Sequence, residues 1–499
     1  MTTMKLFKSL ILITALSFAF VSCDDFLDVN TDPNAATEVS PDLLFSTVLA
    51  NIASNRAIEI QPSGSFFINA WAPNGSTGVF INPDRYIISP FSTGNTWSNW
   101  YGASMRNLSF MIDEAETNEL ISLNVASQAK IVKAYLFFSL TMMWEDIPFT
   151  QSQKPEEFPE PAFDDQETVL RGIIDLLDEG LNQMDLNESG VGSRDLVYGG
   201  NMLKWAKFAN SLKLRTYMFL RNQDPSVDSE IANLLNNAEL IRTNDDEAAI
   251  PFFDSNENAH NVWVLNNSFG GFTGAGNGNI FIFAGKTLVD IMNELEDPRR
   301  KTYFSYATYS NNLVADEFIG QEAGVSGWGG ETSMISQNII RRDWPSRMLT
   351  ASEVLFYEAE FLATTGNLGG AHEAYIAGVR ASLNFLDPYT ELDPSGGELE
   401  VQGISDEEIS TYIDVLPSSF SNETEALEAI HTQQYIEVLD RAPENWSHWK
   451  RTKFPQLSVA QNANLGDIIR RFPYPPSEIA SNPNTPQDPT LDTPMWFEN

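Results

Sequence analysis

Two regions rich in glycine and asparagine concentrate the side chains of this sequence that are best suited to hold a ligand. We call residues 61–96 the first irregular region and residues 245–347 the second irregular region, because neither keeps a helical period. An exposed Trp or Tyr can pack on the C–H face of a sugar ring, while amide, carboxylate and guanidinium groups hydrogen-bond to its hydroxyls. The alternative for each residue is a loop side chain that covers the core. The candidate ligand-binding residues are Trp71, Asn74 and Tyr86 in the first region, and Trp263, Trp328, Asn338 and Trp344 in the second.

No motif in the sequence predicts catalysis or a metal site. The histidines are His260, His372, His431 and His448, and no two have the spacing of metal ligands on one helix. A Gly-x-Ser-x-Gly nucleophile motif is absent, and a single cysteine excludes a multi-cysteine metal site. Carboxylates are so frequent that no pair stands out as the acid and nucleophile of a glycosidase. We therefore expect no catalytic residue, no metal and no cofactor.

An arginine cluster lies beside one of the candidate tryptophans. Arg341, Arg342 and Arg347 surround Trp344 in the sequence. In a strongly acidic chain, such a cluster is expected to form salt bridges with the protein's own carboxylates. The alternative is a local site for an anionic group of a ligand.

The charge of the chain excludes several classes of partner. Its 499 residues include 68 acidic and 30 basic ones, which gives a formal charge of −38. Nucleic acids and anionic membranes require a basic surface, so neither is expected to bind. An apolar content of 42% is that of a globular protein and is too high for a disordered acidic chain.

The first 23 residues have the pattern of a lipoprotein signal peptide. Lys5 and Lys8 precede an apolar run over 10–21, and Ser22 and Cys23 follow it. A run of this length is too short to span a membrane, and the alternative is a buried N-terminal helix. We predict a signal peptide over 1–22, a lipid on Cys23 and a tether over 23–39. Removal of 1–22 takes two lysines and no acidic residue, which changes the charge from −38 to −40.

Apolar periodicity predicts helices before, between and after the two irregular regions. A first helix begins at Ser40, where Pro41 suits the first helical position. Another helix begins at Thr350, which forms a capping box with Glu353, and this helix ends at Gly366. Three helical hairpins of roughly tetratricopeptide type are expected over 97–144, 166–221 and 350–386. The remaining helices, including those that form the hairpins, are predicted over 97–116, 126–144, 166–184, 201–221, 226–241, 286–296, 370–386 and 423–439.

Several short motifs, in their order along the chain, resemble one family. They are 24–28 (DDFLD), 144–149 (WEDIPF), 205–215 (WAKFANSLKLR), 358–360 (EAE), 378–382 (GVRAS), 446–452 (WSHWKRT) and 471–475 (RFPYP). Together they resemble the SusD/RagB family of surface glycan-binding lipoproteins of Bacteroidetes, from Cys23 to the C-terminus. The chain departs from the family pattern at Glu145, where Gly is usual before Asp-x-Pro, and at Lys450, where a second Arg is usual.

The resemblance implies a fold, a location and a partner. It implies an all-α fold in which tetratricopeptide-like helix pairs support a loop-rich ligand-binding half, here as one domain over 40–499. It also implies a lipid-anchored protein on the outer surface of the outer membrane, beneath which a TonB-dependent barrel of the SusC type receives the glycan. It implies no catalysis. The acidity favours a neutral oligo- or polysaccharide, and the alternative ligand is a peptide or another nutrient.

Overall fold

The computed structural model describes residues 40–73, 81–253, 282–309, 312–314, 317–325, 331–336, 338–339, 342–384, 389–392, 398–401, 403–487 and 490–498. The chain divides into two units, Met1–Ser40 and Pro41–Asn499. The signal peptide, Cys23 and the tether lie outside the described residues, so these predictions stay predictions.

Helices dominate the second unit, which confirms the predicted all-α class. α1 (Pro41–Asn55) continues through a π-helical turn (Arg56–Ile60), and a second π-helical segment (Trp97–Ser104) leads into the fifth helix. The helices that follow α1 are α2 (Gln61–Phe67), α3 (Ile81–Asp84), α4 (Gly94–Thr96), α5 (Met105–Thr117), α6 (Leu123–Trp144), α7 (Gln166–Asn182), α8 (Met202–Leu220), α9 (Asp228–Asn237), α10 (Lys286–Glu294), α11 (Arg300–Tyr303), α12 (Ala351–Thr364), α13 (Leu368–Leu383), α14 (Asp406–Val415), α15 (Glu423–Glu437), α16 (Glu444–Thr452) and α17 (Pro476–Ser481).

Short strands form two-stranded antiparallel ladders between these helices. The pairs are β1 with β3, β2 with β6, β4 with β5, and β7 with β8. The strands are β1 (Trp71–Pro73), β2 (Ala248–Ile250), β3 (Ile282–Ala284), β4 (Ala307–Tyr309), β5 (Asn312–Val314), β6 (Ser346–Leu349), β7 (Tyr389–Leu392) and β8 (Glu398–Val401). Single-turn 3₁₀ helices cover Gly192–Arg194, Pro225–Val227, Asn244–Asp246 and Trp496–Glu498.

The three predicted helical hairpins are present and supply most of the scaffold. Each pairs neighbouring helices along the chain: α5 with α6, α7 with α8, and α12 with α13. The longest helix, α6, is buried on nearly every side, and Ser122 caps it by accepting a hydrogen bond from the Asn124 N–H. No helix in the described part of the chain combines the length and the apolar character that crossing a bilayer requires.

The first irregular region, predicted as loops, contains three short helices, α2, α3 and α4. In α2, Gln61 donates through Nε2 to Ser65 Oγ at 2.9 Å and to Leu439 O at 3.0 Å. Pro62 lies in its first turn, where the missing N–H has no helical partner to lose. The helix is thus held by a distant segment, which the local sequence pattern does not reveal. Trp97 and Trp100, which open the following π-helical segment, are buried.

The cap of α12 differs from the predicted capping box. Thr350 Oγ1 accepts a hydrogen bond from the Glu353 N–H at 3.2 Å, which is the expected half of the motif. The Glu353 carboxylate forms hydrogen bonds with Arg215 and Arg441 instead of returning to the Thr350 N–H. The predicted stop at Gly366 is confirmed, because this residue has a φ of +87°.

Glu145 ends α6 in a conformation that favours glycine, and a pair of substitutions tests what its side chain contributes. Its φ is +71°, and its carboxylate pairs with Arg471 and accepts a hydrogen bond from the Trp496 N–H at 2.8 Å. Glu145→Gly and Glu145→Ala both remove these bonds, but only glycine relieves the backbone strain. We expect the glycine variant to be more stable than the alanine variant by about 1 kcal/mol in chemical unfolding. Equal stabilities would contradict this assignment of strain.

Candidate functional site

The two irregular regions meet at the β1–β3 ladder. Trp71 pairs with Ala284 and Pro73 pairs with Ile282. The Gly285 N–H continues the ladder by donating to Ala70 O at 2.9 Å. Segment 74–80 follows Pro73 in the sequence and segment 254–281 precedes Ile282. Since these two residues pair, both segments connect to the same end of the ladder. The structure thus brings to one place the attachment points of segments from both regions.

Asn69 and Gln321 clamp this ladder through side-chain hydrogen bonds. Asn69 Oδ1 accepts from both the N–H and the hydroxyl of Thr287 at 3.0 Å, and its Nδ2 donates to Gln321 O at 3.3 Å. Gln321 in turn donates through Nε2 to Pro73 O at 3.1 Å. Asn69 has a φ of +50°, a region that Asn tolerates better than most residues. The clamp fixes the start of α10 against the end of β1.

A second contact between the regions lies around Gly324. Asp84 Oδ2 accepts from the Gly324 N–H at 2.6 Å, and Arg85 donates through Nε to Gly324 O at 3.2 Å. The C-terminal part of the chain closes the contact, because the Gln461 N–H donates to Ala323 O at 3.0 Å. We call these five residues the Gly324 junction. It joins the first irregular region, the second irregular region and the segment around residue 461.

Two of the candidate ligand-binding residues in the first region are buried. Trp71 is 1% exposed, and its Nε1 has no hydrogen-bond partner within the part of the chain that the structure describes. Tyr86 is 2% exposed, and its hydroxyl accepts from the Ala460 N–H at 3.1 Å. Burial raises the pKa of Tyr86 to about 12. In this conformation neither ring presents a face to solvent.

The two described candidates of the second region are also buried. Asn338 is 0% exposed and Trp344 is 3% exposed. Trp344 donates through Nε1 to Asp440 Oδ2 at 2.7 Å, and Arg347 pairs with the same carboxylate at 2.6 Å. Although burial acts to raise the pKa of Asp440, Arg347 holds it below its usual value. Arg347 thus forms the salt bridge expected of the arginine cluster.

The remaining candidates, Asn74, Trp263 and Trp328, lie outside the described residues, as does Arg341. The assignment of all seven to ligand binding stays a prediction. The four described candidates are all buried, so contact with a ligand would require their exposure. The sequence carries no signal for this burial, because a loop aromatic on the surface and one in the core have the same local pattern.

A cleft that the sequence analysis missed lies between α11 and α14. It has a volume of about 450 Å³. Its walls combine apolar and charged groups, and Lys301 pairs with Glu408 across it at 2.5 Å. Because α14 was not predicted, nothing in the sequence analysis placed these elements side by side. The lining includes Arg300, Lys301, Phe318, Glu407, Tyr412 and Val415.

Within the described residues, no group of three or more His, Cys, Asp or Glu side chains is arranged to hold a metal ion. The histidines nearest to each other are His431 and His448, whose ring centroids are 5.6 Å apart. Both are buried, and burial lowers the pKa of each below its usual value. Their burial between α15 and α16 fits a role in packing.

Comparisons with known proteins bear on the whole chain. A family model described as SusD-like, starch-binding and associating with the outer membrane matches residues 33–475. Among curated protein sequences, none matches this chain.

Solved structures of the same description share the fold. A SusD-like protein of Bacteroidetes AC2a is 19% identical with a TM-score of 0.74, and the match covers 92% of this chain and 100% of that one. A chitin-binding SusD homologue from Flavobacterium johnsoniae is 19% identical with a TM-score of 0.72, covering 92% and 98%. A SusD homologue from Bacteroides uniformis is 23% identical with a TM-score of 0.68, covering 91% and 99%.

Proposed function

Because the chain belongs to the SusD-like family of starch-binding proteins that associate with the outer membrane, we propose that it is a noncatalytic protein that captures a glycan at the cell surface. The observation that carries the proposal is the extent of the family match, which includes the scaffold hairpins and both irregular regions. The β1–β3 ladder and the Gly324 junction support it, because they join segments of the two irregular regions.

We propose further that the protein is anchored by a lipid on Cys23 and delivers its ligand to a TonB-dependent outer-membrane barrel of the SusC type. The N-terminal pattern of a charged start, an apolar run and a following cysteine supports the anchor. Metabolic labelling with a fatty acid tests it directly. Wild-type protein is expected to take up the label and the Cys23→Ser variant to lose it. Copurification of a TonB-dependent barrel with the tagged protein, identified by mass spectrometry, tests the partner.

The proposed ligand is a neutral oligo- or polysaccharide. A chain with a formal charge of −38 repels polyanions, whereas a neutral glycan approaches it without a Coulomb penalty. Asn74, Trp263 and Trp328 are the proposed contacts. Trp71, Tyr86, Asn338 and Trp344 remain proposed members of the site, and their burial makes substitution of them a test of folding as well as of binding.

Retardation in native gels that contain starch or glycol chitin tests the proposal. We expect the wild type to be retarded by at least one polysaccharide. Trp263→Ala and Trp328→Ala are expected to weaken binding by about tenfold each, the equivalent of one lost aromatic contact. The matched control is Trp496→Ala, a half-buried tryptophan outside both irregular regions, which should bind as the wild type does.

Three outcomes would change the proposal. If neither the wild type nor any variant binds a polysaccharide or its oligosaccharides, the ligand class is wrong. Binding of cationic peptides without sugars would favour the alternative, a peptide-binding protein of the same transport system, because an acidic surface attracts such peptides. Release of reducing ends from a glycan would contradict the noncatalytic assignment.

A further inference from the structure

A buried carboxylate makes one of the three bonds of the Gly324 junction. Asp84 is 2% exposed, and its Oδ2 accepts the Gly324 N–H at 2.6 Å. Arg85 also joins the first irregular region to Gly324, by donating to Gly324 O at 3.2 Å, whereas Asp84 is the acceptor of the Gly324 N–H. Because Asp84 follows segment 74–80 and Gly324 precedes segment 326–330, the bond fixes where both segments attach to the described structure.

The second oxygen of Asp84 is left without a partner. Oδ1 has no hydrogen bond in the described part of the chain and is shielded from solvent. A buried ionised carboxylate is ordinarily compensated by several donors, and a neutral carboxyl group needs fewer. With a single N–H donor on Oδ2, this environment suits the neutral form better than the ionised form.

The electrostatics agree with the geometry. Burial raises the pKa of Asp84 to about 7, against the opposing effects of the Gly324 N–H and the neighbouring Arg85. In the opened or unfolded chain the same group has its ordinary pKa of 3.8. Between about pH 4 and 7, Asp84 therefore keeps its proton in the closed junction and releases it in the opened junction.

The other charges around the junction do not replace this effect. From the C-terminal segment, Asp467 and Arg470 act on the adjacent hydroxyl of Tyr86. They form an ion pair with each other at 2.8 Å, so their fields largely cancel at a distance. Glu322, on the second irregular region, is exposed to solvent and screened.

We propose that Asp84 is a pH-sensitive positioning residue, which holds the Gly324 junction closed while its carboxyl group is neutral and weakens the junction when the group ionises. The contribution is complete below about pH 4. It decreases as the pH rises towards 7, because the opened form loses its proton while the closed form keeps it. Above pH 7 both forms are ionised and the dependence ends. This inference concerns the attachment of the loops and does not rest on the identity of any ligand.

Hydrogen–deuterium exchange of the full chain tests the proposal. The readout is the protection of peptides that contain Gly324, divided at each pH by the exchange rate of the unfolded chain. In the wild type, we expect protection to fall by up to tenfold per pH unit between pH 5 and 7, the slope of one proton, and to level off above pH 7. In Asp84→Asn, which keeps an acceptor for the Gly324 N–H but cannot ionise, protection should not change with pH.

The matched control is Asp175→Asn, a substitution of an exposed aspartate on α7, which should follow the wild-type profile. If Asp84→Asn keeps the wild-type slope, the proposal is overturned. If Asp84→Asn does not fold, the pH dependence of protection in the wild type still tests the proposal. Flat protection at Gly324 between pH 5 and 7 overturns the proposal, and a slope confined to Gly324 peptides and absent from α7 supports it.

Discussion

Replacing Glu353 with alanine is expected to lower the free energy of unfolding by about 3–5 kcal/mol. The carboxylate is 4% exposed and accepts hydrogen bonds from Arg215 at 2.7 and 2.9 Å and from Arg441 at 2.6 Å. Burial acts to raise the pKa of Glu353, but the two guanidinium groups lower it to about 2. Within the described residues, its removal leaves Arg215 with only the more distant Glu444, 3.7 Å away, and Arg441 with only Glu437, and both cations are buried from water. Urea unfolding monitored by circular dichroism measures the change.

Glu358→Ala is the matched control, because it removes a paired glutamate from the same helix. Glu358 pairs with Arg242, and their side chains are 22% and 33% exposed. Solvent screens this pair, so we expect a loss of only about 0–1 kcal/mol. Equal losses in the two variants would show that Glu353 contributes no more than an ordinary surface pair.

Helices whose signals lie within their own sequence could be predicted. α1 and α12 begin with residues that suit a helix start, Pro41 in one and the cap Thr350 in the other, and both carry an apolar stripe, so their signals are local. The tetratricopeptide-like hairpins were predictable for the same reason.

α16 was missed because its polar residues suggest an exposed segment. Its residues are nearly all buried. Lys450 Nζ donates to Arg470 O at 3.0 Å and lies 4.0 Å from the centroid of the Trp446 ring. Burial lowers the pKa of Lys450 well below its usual value. The Arg470 carbonyl lies outside α16 and is brought to Lys450 by tertiary packing, which a local pattern cannot show.

α14 was missed despite a local signal. Ser405 and Glu408 form a complete capping box, in which each side chain accepts from the backbone of the other. The same motif at Thr350 was recognised and is only half formed. A capping box in sequence therefore indicates a helix start more reliably than it indicates what the glutamate will bind.

The candidate site was predictable as a pair of regions, although its individual contacts were not. The two irregular regions were recognised from their composition, but their meeting at the β1–β3 ladder, with Trp71 against Ala284, comes from tertiary pairing that composition does not show. The salt bridge expected of the arginine cluster is present at Arg347, but its partner Asp440, which also accepts from Trp344, lies more than ninety residues away. Trp71, Tyr86 and Trp344 likewise contact residues that are distant in sequence, namely Ala284, Ala460 and Asp440.

Substituting alanine for Gly324 is expected to lower the free energy of unfolding by about 3 kcal/mol. Gly324 has a φ of +78°, which costs about 1 kcal/mol for an L-residue. In addition, a Cβ at this position would overlap the carbonyl oxygen of Gln461, and forced overlap of this kind costs about 1–3 kcal/mol. The C-terminal segment must then move away, and the bond from the Gly324 N–H to Asp84 is strained. Urea unfolding and exchange of Gly324 peptides measure both effects.

Gly366→Ala separates the two contributions. Gly366 has a φ of +87°, and an added Cβ would meet nothing within 4 Å, so only the backbone cost of about 1 kcal/mol is expected. The difference between the variants is therefore the cost of separating the segment around residue 461 from the second irregular region. If both variants lose the same stability and Gly324 peptides keep their protection, moving the segment around residue 461 away from Gly324 costs no free energy. In that case the loop attachments depend on the β1–β3 ladder alone.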